Sequence, residues 1–375
     1  MKLIYLVTED SYFYSHRLPM ARAAKEAGFS VAVITNVKKH KEAIEKEGIR
    51  VIPLSLERSS LNPLRAARHI AQIAQIYHRE KPDAVHHIAM KPVLYGSIAA
   101  WTAGVPRAVH AFAGLGYVFT AETALAKSLR LLLVSAFRVL LKRRGSHLLL
   151  QNDDDLRRLL ALKVATEHAH VIPGSGIEME KYTLIPYPPQ GGEFICLFAA
   201  RMIGIKGLQT LKEAFALLQH RAPYIKLWLC GQPDPANPGS WTEEQLRQWA
   251  ADASNVVYKG HCADMRAMWA QAHVALQPSY GGEGVPKSLL EAAASARPII
   301  ATDVAGCRDM VEPGRNGYVV PPMDAAALAG TIEKLAASGR GAEMGAESRK
   351  IIAEKKMTAA DITAQTRTLY STLLK

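Results

Sequence analysis

Cysteine is scarce and never paired in this sequence. Cys196, Cys230, Cys262 and Cys307 are far apart, show no C-x-x-C spacing, and three of them lie within or at the end of apolar, strand-like runs. That spacing excludes a disulfide framework and a cysteine-built zinc site, and it reads as reduced thiols in a cytosolic compartment. Long apolar runs are missing too, since no stretch approaches the roughly 18–20 residues that a membrane-spanning helix needs. The opening run ends at Thr8-Glu9-Asp10, too soon for a secretory segment, so Leu3–Val7 is predicted to be a first buried strand of a soluble or membrane-peripheral protein. The loop after that strand has no G-x-G-x-x-G, which counts against a dehydrogenase. Low-complexity tracts and short repeats are absent as well.

What is present is length, apolar content and positive charge. At 375 residues and 49% apolar content, the chain exceeds what one core usually organises, so two domains are expected. The net charge of +12 calls for an anionic partner: a phosphorylated substrate, an acidic membrane surface or nucleic acid. Nucleic acid is disfavoured, because the basic residues gather on one helix and single loops without a recognised binding module or aromatic stacking platform.

Short apolar runs alternate with helical patterns, the signature of parallel, doubly wound sheets. The first series is Leu3–Val7, Val31–Thr35, Val51–Leu54, Ala84–Ile88, Ala108–His110, His147–Leu150 and Val171–Pro173. It stops at the Pro/Gly-rich stretch from Ile185 to Gly192, which can be neither helix nor central strand. A second series follows: Phe194–Ala199, Ile225–Cys230, Val256–Tyr258, Val274–Leu276, Ile299–Thr302 and Tyr318–Val320. The fold is therefore expected to be α/β, with two Rossmann-like domains over 1–188 and 189–357 and a terminal helix in 358–375 that can cross back to the first.

The densest signal is Pro278-Ser279-Tyr280-Gly281-Gly282-Glu283-Gly284-Val285-Pro286-Lys287-Ser288-Leu289-Leu290-Glu291, which runs from a strand end into a helix beginning near Pro286. The free N–H groups of that helix start would face an anion at the carboxyl end of the sheet. Glu283 and Glu291 can address different parts of one elongated ligand, and carboxylates accept well from the paired hydroxyls of a sugar or ribose. A companion strand end carries Arg201 and Lys206, a fork and a point charge suited to a diphosphate. Either element alone reads more readily as surface. Together they occupy ligand positions of one inferred sheet.

The strand-Arg-x-x-x-x-Lys-Gly pattern, followed by Glu-Gly-x-Pro-Lys-x-x-x-Glu-Ala, resembles the family 4 retaining glycosyltransferases of the GT-B fold, in which two Rossmann-like domains face a central cleft. Supporting segments are Gly174-Ser175-Gly176-Ile177, Leu229-Cys230-Gly231, Gly260-His261, Asp303-Val304-Ala305-Gly306 and Gly314-Arg315-Asn316-Gly317. The resemblance implies that Arg201 and Lys206 neutralise the donor diphosphate and that Glu291 holds the ribose. It also implies that Glu283, Gly284, Val285, Pro286 and Lys287 hold the donor sugar, while Gly260 and His261 border the base. It implies a nucleotide-sugar donor, UDP-linked, and transfer with retention. A 2-epimerase acting on the sugar nucleotide is the alternative within the same architecture. No Asp-x-Asp or histidine cluster stands near the diphosphate motif, so neither an obligatory metal nor another cofactor is expected.

In the first half, Gly114-Leu115-Gly116-Tyr117-Val118-Phe119 resembles the subgroup that extends polyprenyl-diphosphate-linked sugars in bacterial polysaccharide or glycolipid assembly. This implies a lipid-linked saccharide acceptor and a cytoplasmic protein at the inner leaflet. His110 is placed either against the reacting sugar or as a buried structural histidine. His16 and Arg17 are acceptor-phosphate contacts or loop surface. The pattern from Leu125 to Arg144 predicts a helix with Lys127, Arg130, Arg138 and Lys142 in one arc, among which Leu131, Val134 and Leu141 fall. That mixture suits a membrane interface, or a core helix whose basic side chains snorkel.

Overall fold

The computed structural model describes residues 1–56, 62–120, 123–165, 168–182, 185–189 and 191–373. The chain forms two compact units. Met1–Gly176 and the helix Ala359–Leu373 make the first, and Ile177–Thr358 makes the second.

Seven strands form the first sheet: β1 Lys2–Glu9, β2 Ser30–Asn36, β3 Arg50–Pro53, β4 Ala84–Ile88, β5 Arg107–Ala111, β6 Ser146–Leu150 and β7 Ala169–Val171. They are parallel, in the order β3-β2-β1-β4-β5-β6-β7. Residues Leu3 to Val7 are buried on both faces, as a strand covered by helices above and below must be. Each such side chain contributes about 1.5–3 kcal/mol of burial, which is why these runs are continuous in the sequence rather than alternating.

The second sheet has six parallel strands in the order β10-β9-β8-β11-β12-β13. They are β8 Phe194–Ala199, β9 Ile225–Cys230, β10 Val256–Gly260, β11 Val274–Gln277, β12 Ile299–Thr302 and β13 Gly317–Val320. All thirteen runs read from the sequence are strands. One is displaced: β7 ends at Val171 and not at Pro173, because Ile172 makes the last ladder bond to the Leu150 carbonyl and Pro173 has no N–H to continue it.

The units divide at Gly176/Ile177, not at 188/189. Ile177 is buried in the second core, and its N–H bonds to the Met357 carbonyl at 3.2 Å. The proline-rich stretch that follows has few ladder donors, so side chains tie it down. Arg297, fully buried, donates to the carbonyls of Ile185 at 3.3 Å, Pro186 at 3.0 Å and Trp269 at 2.7 Å, and the Tyr187 hydroxyl donates to the His273 carbonyl at 3.0 Å. A segment that reads as a linker is thus part of the second unit.

The helix Ala359–Leu373 buries Ile362, Thr366, Leu369, Tyr370 and Leu373, one face at helical spacing, and packs with the first core. The Tyr370 hydroxyl bonds that of Tyr5 on β1 and lies 2.7 Å from Nδ1 of His86 on β4.

Candidate active site

In the second sheet the chain steps from β8 outward to β9 and β10, then returns to lay β11 on the other side of β8. Strand order reverses between β8 and β11, the place in an open parallel sheet where ligands bind at the carboxyl ends of the strands. Both charged motifs leave from these two strands.

The β8 loop passes through a 3-10 turn, Gly204–Lys206, into Gly207 at φ 86°. A Cβ on Gly207 would lie 2.1 Å from the Pro278 carbonyl oxygen, so only glycine lets the two loops touch. The Tyr280 N–H then bonds to the Ile205 carbonyl at 3.1 Å. This contact brings Lys206 and Glu283, 77 positions apart, into an ion pair between Nζ and Oε1 that is largely shielded from water. Glu283 Oε1 also accepts from Ser279 Oγ at 2.6 Å and Gln277 Nε2 at 3.4 Å. Among the described residues Oε2 accepts nothing, which leaves one oxygen for a ligand hydroxyl.

Behind the carboxylate sits a buried polar chain that sequence reasoning missed. Gln277 Nε2 donates to Ser279 Oγ at 2.8 Å, Ser288 Oγ donates to Gln277 Oε1 at 3.2 Å, and Thr302 donates to the Ser279 carbonyl. The available signal was an amide closing the apolar run Val274–Leu276, a residue type that a buried strand end does not need for packing.

Gly284, Val285 and Pro286 are buried and lead into the helix Lys287–Ala294, whose N-cap is Pro286. On this helix burial pushes the Glu291 carboxyl above its ordinary value, offset by Lys287, the Trp269 indole and the Tyr182 hydroxyl beside it. Neither aromatic was anticipated. Arg201 stands at the end of β8, half exposed, with Nη1 2.5 Å from Asp234 Oδ2. Gly260 closes β10 in register with Cys230, and His261 after it is exposed. In the second unit Lys206, Glu283 and the segment 284–287 meet where β8 and β11 end, Arg201 follows β8 and Gly260 and His261 lie at the end of β10, while Glu291 sits further along the helix beside Tyr182 and Trp269. A cation, a helix start and two carboxylates so arranged can bind a diphosphate and hydroxyl-bearing groups. Among the described residues no group of three His, Cys, Asp or Glu is arranged to hold a metal ion.

The first unit treats its polar residues differently. His110 on β5 is buried, with Nδ1 3.3 Å from His87 Nδ1 and 3.2 Å from Ser97 Oγ, and burial pushes its imidazole down to about 3. The loop-surface reading of Arg17 fails. It closes a π-helical turn, Phe13–Arg17, and is buried, donating to the Tyr12 hydroxyl at 3.3 Å and Met20 Sδ at 3.4 Å. His16 stacks on Tyr12 with ring centres 4.6 Å apart.

The basic helix runs Ala124–Leu140, started by Thr123, whose hydroxyl accepts from the Ala126 N–H at 3.2 Å. Val134 and Leu141 are buried with Phe137, so they do not belong to the mixed arc that the sequence suggested. Leu131, Leu132 and Val139 are exposed instead, at 68%, 67% and 66%. Arg130 and Arg138 are committed to the structure: their Nε atoms donate to the carbonyls of Val118 and Leu162, each at 2.9 Å. Lys127 and Lys142 are exposed. No described helix is long and apolar enough to cross a membrane.

Comparison with known proteins agrees with this geometry. Residues 2–151 match a family model described as glycosyl transferase 4-like, and residues 193–338 match glycosyl transferases group 1. The chain is 25% identical over 328 residues, 84% of each protein, to the N,N'-diacetylbacillosaminyl-diphospho-undecaprenol alpha-1,3-N-acetylgalactosaminyltransferase of Campylobacter jejuni. It is 23% identical to the Staphylococcus aureus capsular polysaccharide biosynthesis glycosyltransferase CapM, over all of this chain and 98% of that one. The crystal structure of Anabaena Alr3699/HepE in complex with UDP-glucose superposes with a TM-score of 0.77 at 18% identity, over 99% of this chain and 100% of that one. With both halves matched by glycosyltransferase models and two parallel-sheet units of this topology, the chain belongs to the GT-B glycosyltransferases.

Proposed function

We propose that the chain transfers a hexose or N-acetylhexosamine, with retention, from a UDP-linked donor to a polyprenyl-diphosphate-linked saccharide. The observation that carries this reading is the Lys206–Glu283 pair beside the helix start at Pro286, at the point where strand order reverses. As the glycosidic bond breaks, negative charge grows on the departing nucleotide diphosphate. Lys206, Arg201 and the helix N–H groups would stabilise it electrostatically. Arg201 then exchanges Asp234 for a phosphate oxygen. Glu283, through its open Oε2, and the backbone of 284–287 hold the sugar, Glu291 takes the ribose hydroxyls, and Gly260 and His261 border the base. His110 touches the transferred sugar, and the acceptor attacks on the face that the nucleotide leaves.

The second unit is thus the donor domain and the first the acceptor domain, with His16 and Arg17 as contacts to acceptor phosphate. The undecaprenol-linked substrate in the name of the Campylobacter relative supports the acceptor class. Exposed Leu131, Leu132 and Val139 beside Lys127 and Lys142 support binding at the inner face of the cytoplasmic membrane.

The test is to incubate purified protein with radiolabelled sugar nucleotides and a polyprenyl-diphosphate saccharide. Label should enter the lipid-extractable fraction for one donor. No transfer from any common sugar nucleotide would refute the proposal, and a 2-epimer formed from donor alone would replace it with the isomerase.

A further inference from the structure

The protons around His110 can be assigned from the heavy atoms. Ser97 Oγ has one proton, and it goes to the Val93 carbonyl at 2.5 Å, one turn back on the same helix. Toward His110 Nδ1, 3.2 Å away, that hydroxyl can then only accept. His110 Nδ1 must therefore carry hydrogen. The same N–H points at His87 Nδ1, 3.3 Å away, which must be bare. A neutral imidazole has one N–H, so the proton of His87 is on Nε2 and is donated to the Tyr77 hydroxyl at 3.1 Å. By the same count Nε2 of His110 is bare, and it is buried with no partner among the described residues.

The opposite polarity runs from Tyr77 through His87 to His110 and leaves an N–H at His110 Nε2. Each polarity strands one buried donor, either the Tyr77 proton or that N–H. Only the opposite one also sets the lone pairs of Ser97 Oγ and His110 Nδ1 against each other at 3.2 Å. The first polarity is therefore preferred. Both imidazoles are held neutral by burial, which depresses His87 well below its ordinary value and His110 likewise. Close packing fixes the arrangement, since a Cβ on Gly96 would lie 2.5 Å from His87 Cδ2.

We infer that Ser97 and His87 are positioning residues that lock His110 as the Nδ1–H tautomer, so that Nε2 offers the transferred sugar a lone pair and not a proton. The partner this selects is a sugar hydroxyl that donates. A donor sugar deoxygenated or O-methylated at that position loses the bond. The inference rests on the proposed contact between His110 and the sugar.

Long-range proton–nitrogen correlation spectra of the full chain with 15N-labelled histidine read the tautomers without substrate, using His110→Gln and His87→Gln to assign signals. The expected result for His110 is a protonated Nδ1 and a pyridine-type Nε2. A protonated Nε2 overturns the inference whether or not the protein transfers sugar. In the transfer assay Ser97→Ala should lower kcat about 10-fold, the worth of one hydrogen bond, with KM for the sugar nucleotide little changed. Ser97→Thr, which keeps the hydroxyl, should restore it. A Ser97→Ala enzyme with wild-type kcat also overturns the positioning role, and loss of both the variant's signals and its rate without Ser97→Thr rescue assigns Ser97 to packing alone.

Discussion

The two sheets reverse strand order at equivalent places, between β1 and β4 in the first unit and between β8 and β11 in the second, yet they furnish those places oppositely. The second collects charge in pairs. Lys206 meets Glu283 in a pair largely shielded from water, and Arg201 meets Asp234 in a more open one. The first buries imidazoles, phenols and a guanidinium, and leaves Arg17 Nε, His86 Nε2 and His110 Nε2 without partners among the described residues. A common scaffold thus supports two electrostatic strategies: preformed opposite charge where a diphosphate is proposed, and neutral, directional hydrogen bonding where a sugar is.

The largest expected effect breaks the charged side of this contrast. Lys206→Ala and Glu283→Ala should each lower kcat by about 10²–10³-fold, the range for removing one group that stabilises developing charge. Because the partners share one ion pair, the double variant should fall short of the product of the two losses. Rates within a few-fold of wild type in either single variant would remove the site assignment.

A stability effect comes next. Arg297→Leu strands buried carbonyls of Ile185, Pro186 and Trp269, and urea unfolding should show a loss of about 2–4 kcal/mol. A loss under 1 kcal/mol would return the proline-rich stretch to the status of a linker.

Titration sharpens the comparison further. Burial holds His86, His87 and His110 below the 6.5 of a free imidazole. A group depressed on folding contributes stability above its unfolded value and loses it as pH falls toward the folded one. Acid should therefore loosen β4 and β5 first, below about 6.5. Hydrogen exchange between about pH 7 and 5.5, corrected for intrinsic rates, should show their protection falling relative to β9 and β12, which contain no histidine. Glu291 works the other way. Its carboxyl is raised above 4.5 by burial, so its contribution is present below that value and is lost as pH rises through the folded one. Glu291→Gln should raise Tm at neutral pH more than in acid while weakening donor binding, and an unchanged donor Kd would separate it from the ribose.

The smallest effect concerns the membrane. Lys127→Glu with Lys142→Glu should weaken flotation with anionic liposomes by about 1 kcal/mol per residue. Arg130 and Arg138 are unsuitable for this test because they hold the Val118 and Leu162 carbonyls. Flotation insensitive both to these changes and to serine at Leu131, Leu132 and Val139 would sever the helix from the membrane.

Much of this was legible in one dimension, for identifiable reasons. Parallel strands are buried on both faces, so Leu3–Val7 and Phe194–Ala199 announce themselves as unbroken apolar runs, and turn chemistry around Gly207 and Pro286 marks where motifs leave the sheet. The Ile185–Gly192 stretch misled because its anchor, Arg297, lies more than a hundred positions away and resembles any other arginine in the sequence. The arc of basic residues misled because a helical wheel cannot say which side meets the core, and Val134 and Leu141 went inward while Leu131 stayed out.

The order of elements, the fold class and the identity of the charged residues were determined by the sequence alone, since each follows from local periodicity and spacing. Which atoms those residues spend on each other was decided only by the tertiary structure. Hydrogen-bond direction and burial at Glu283, Arg17 and His110 depend on partners from 3 to 77 positions away, and no local pattern encodes the long separations from Glu283 to Lys206 and from His110 to His87.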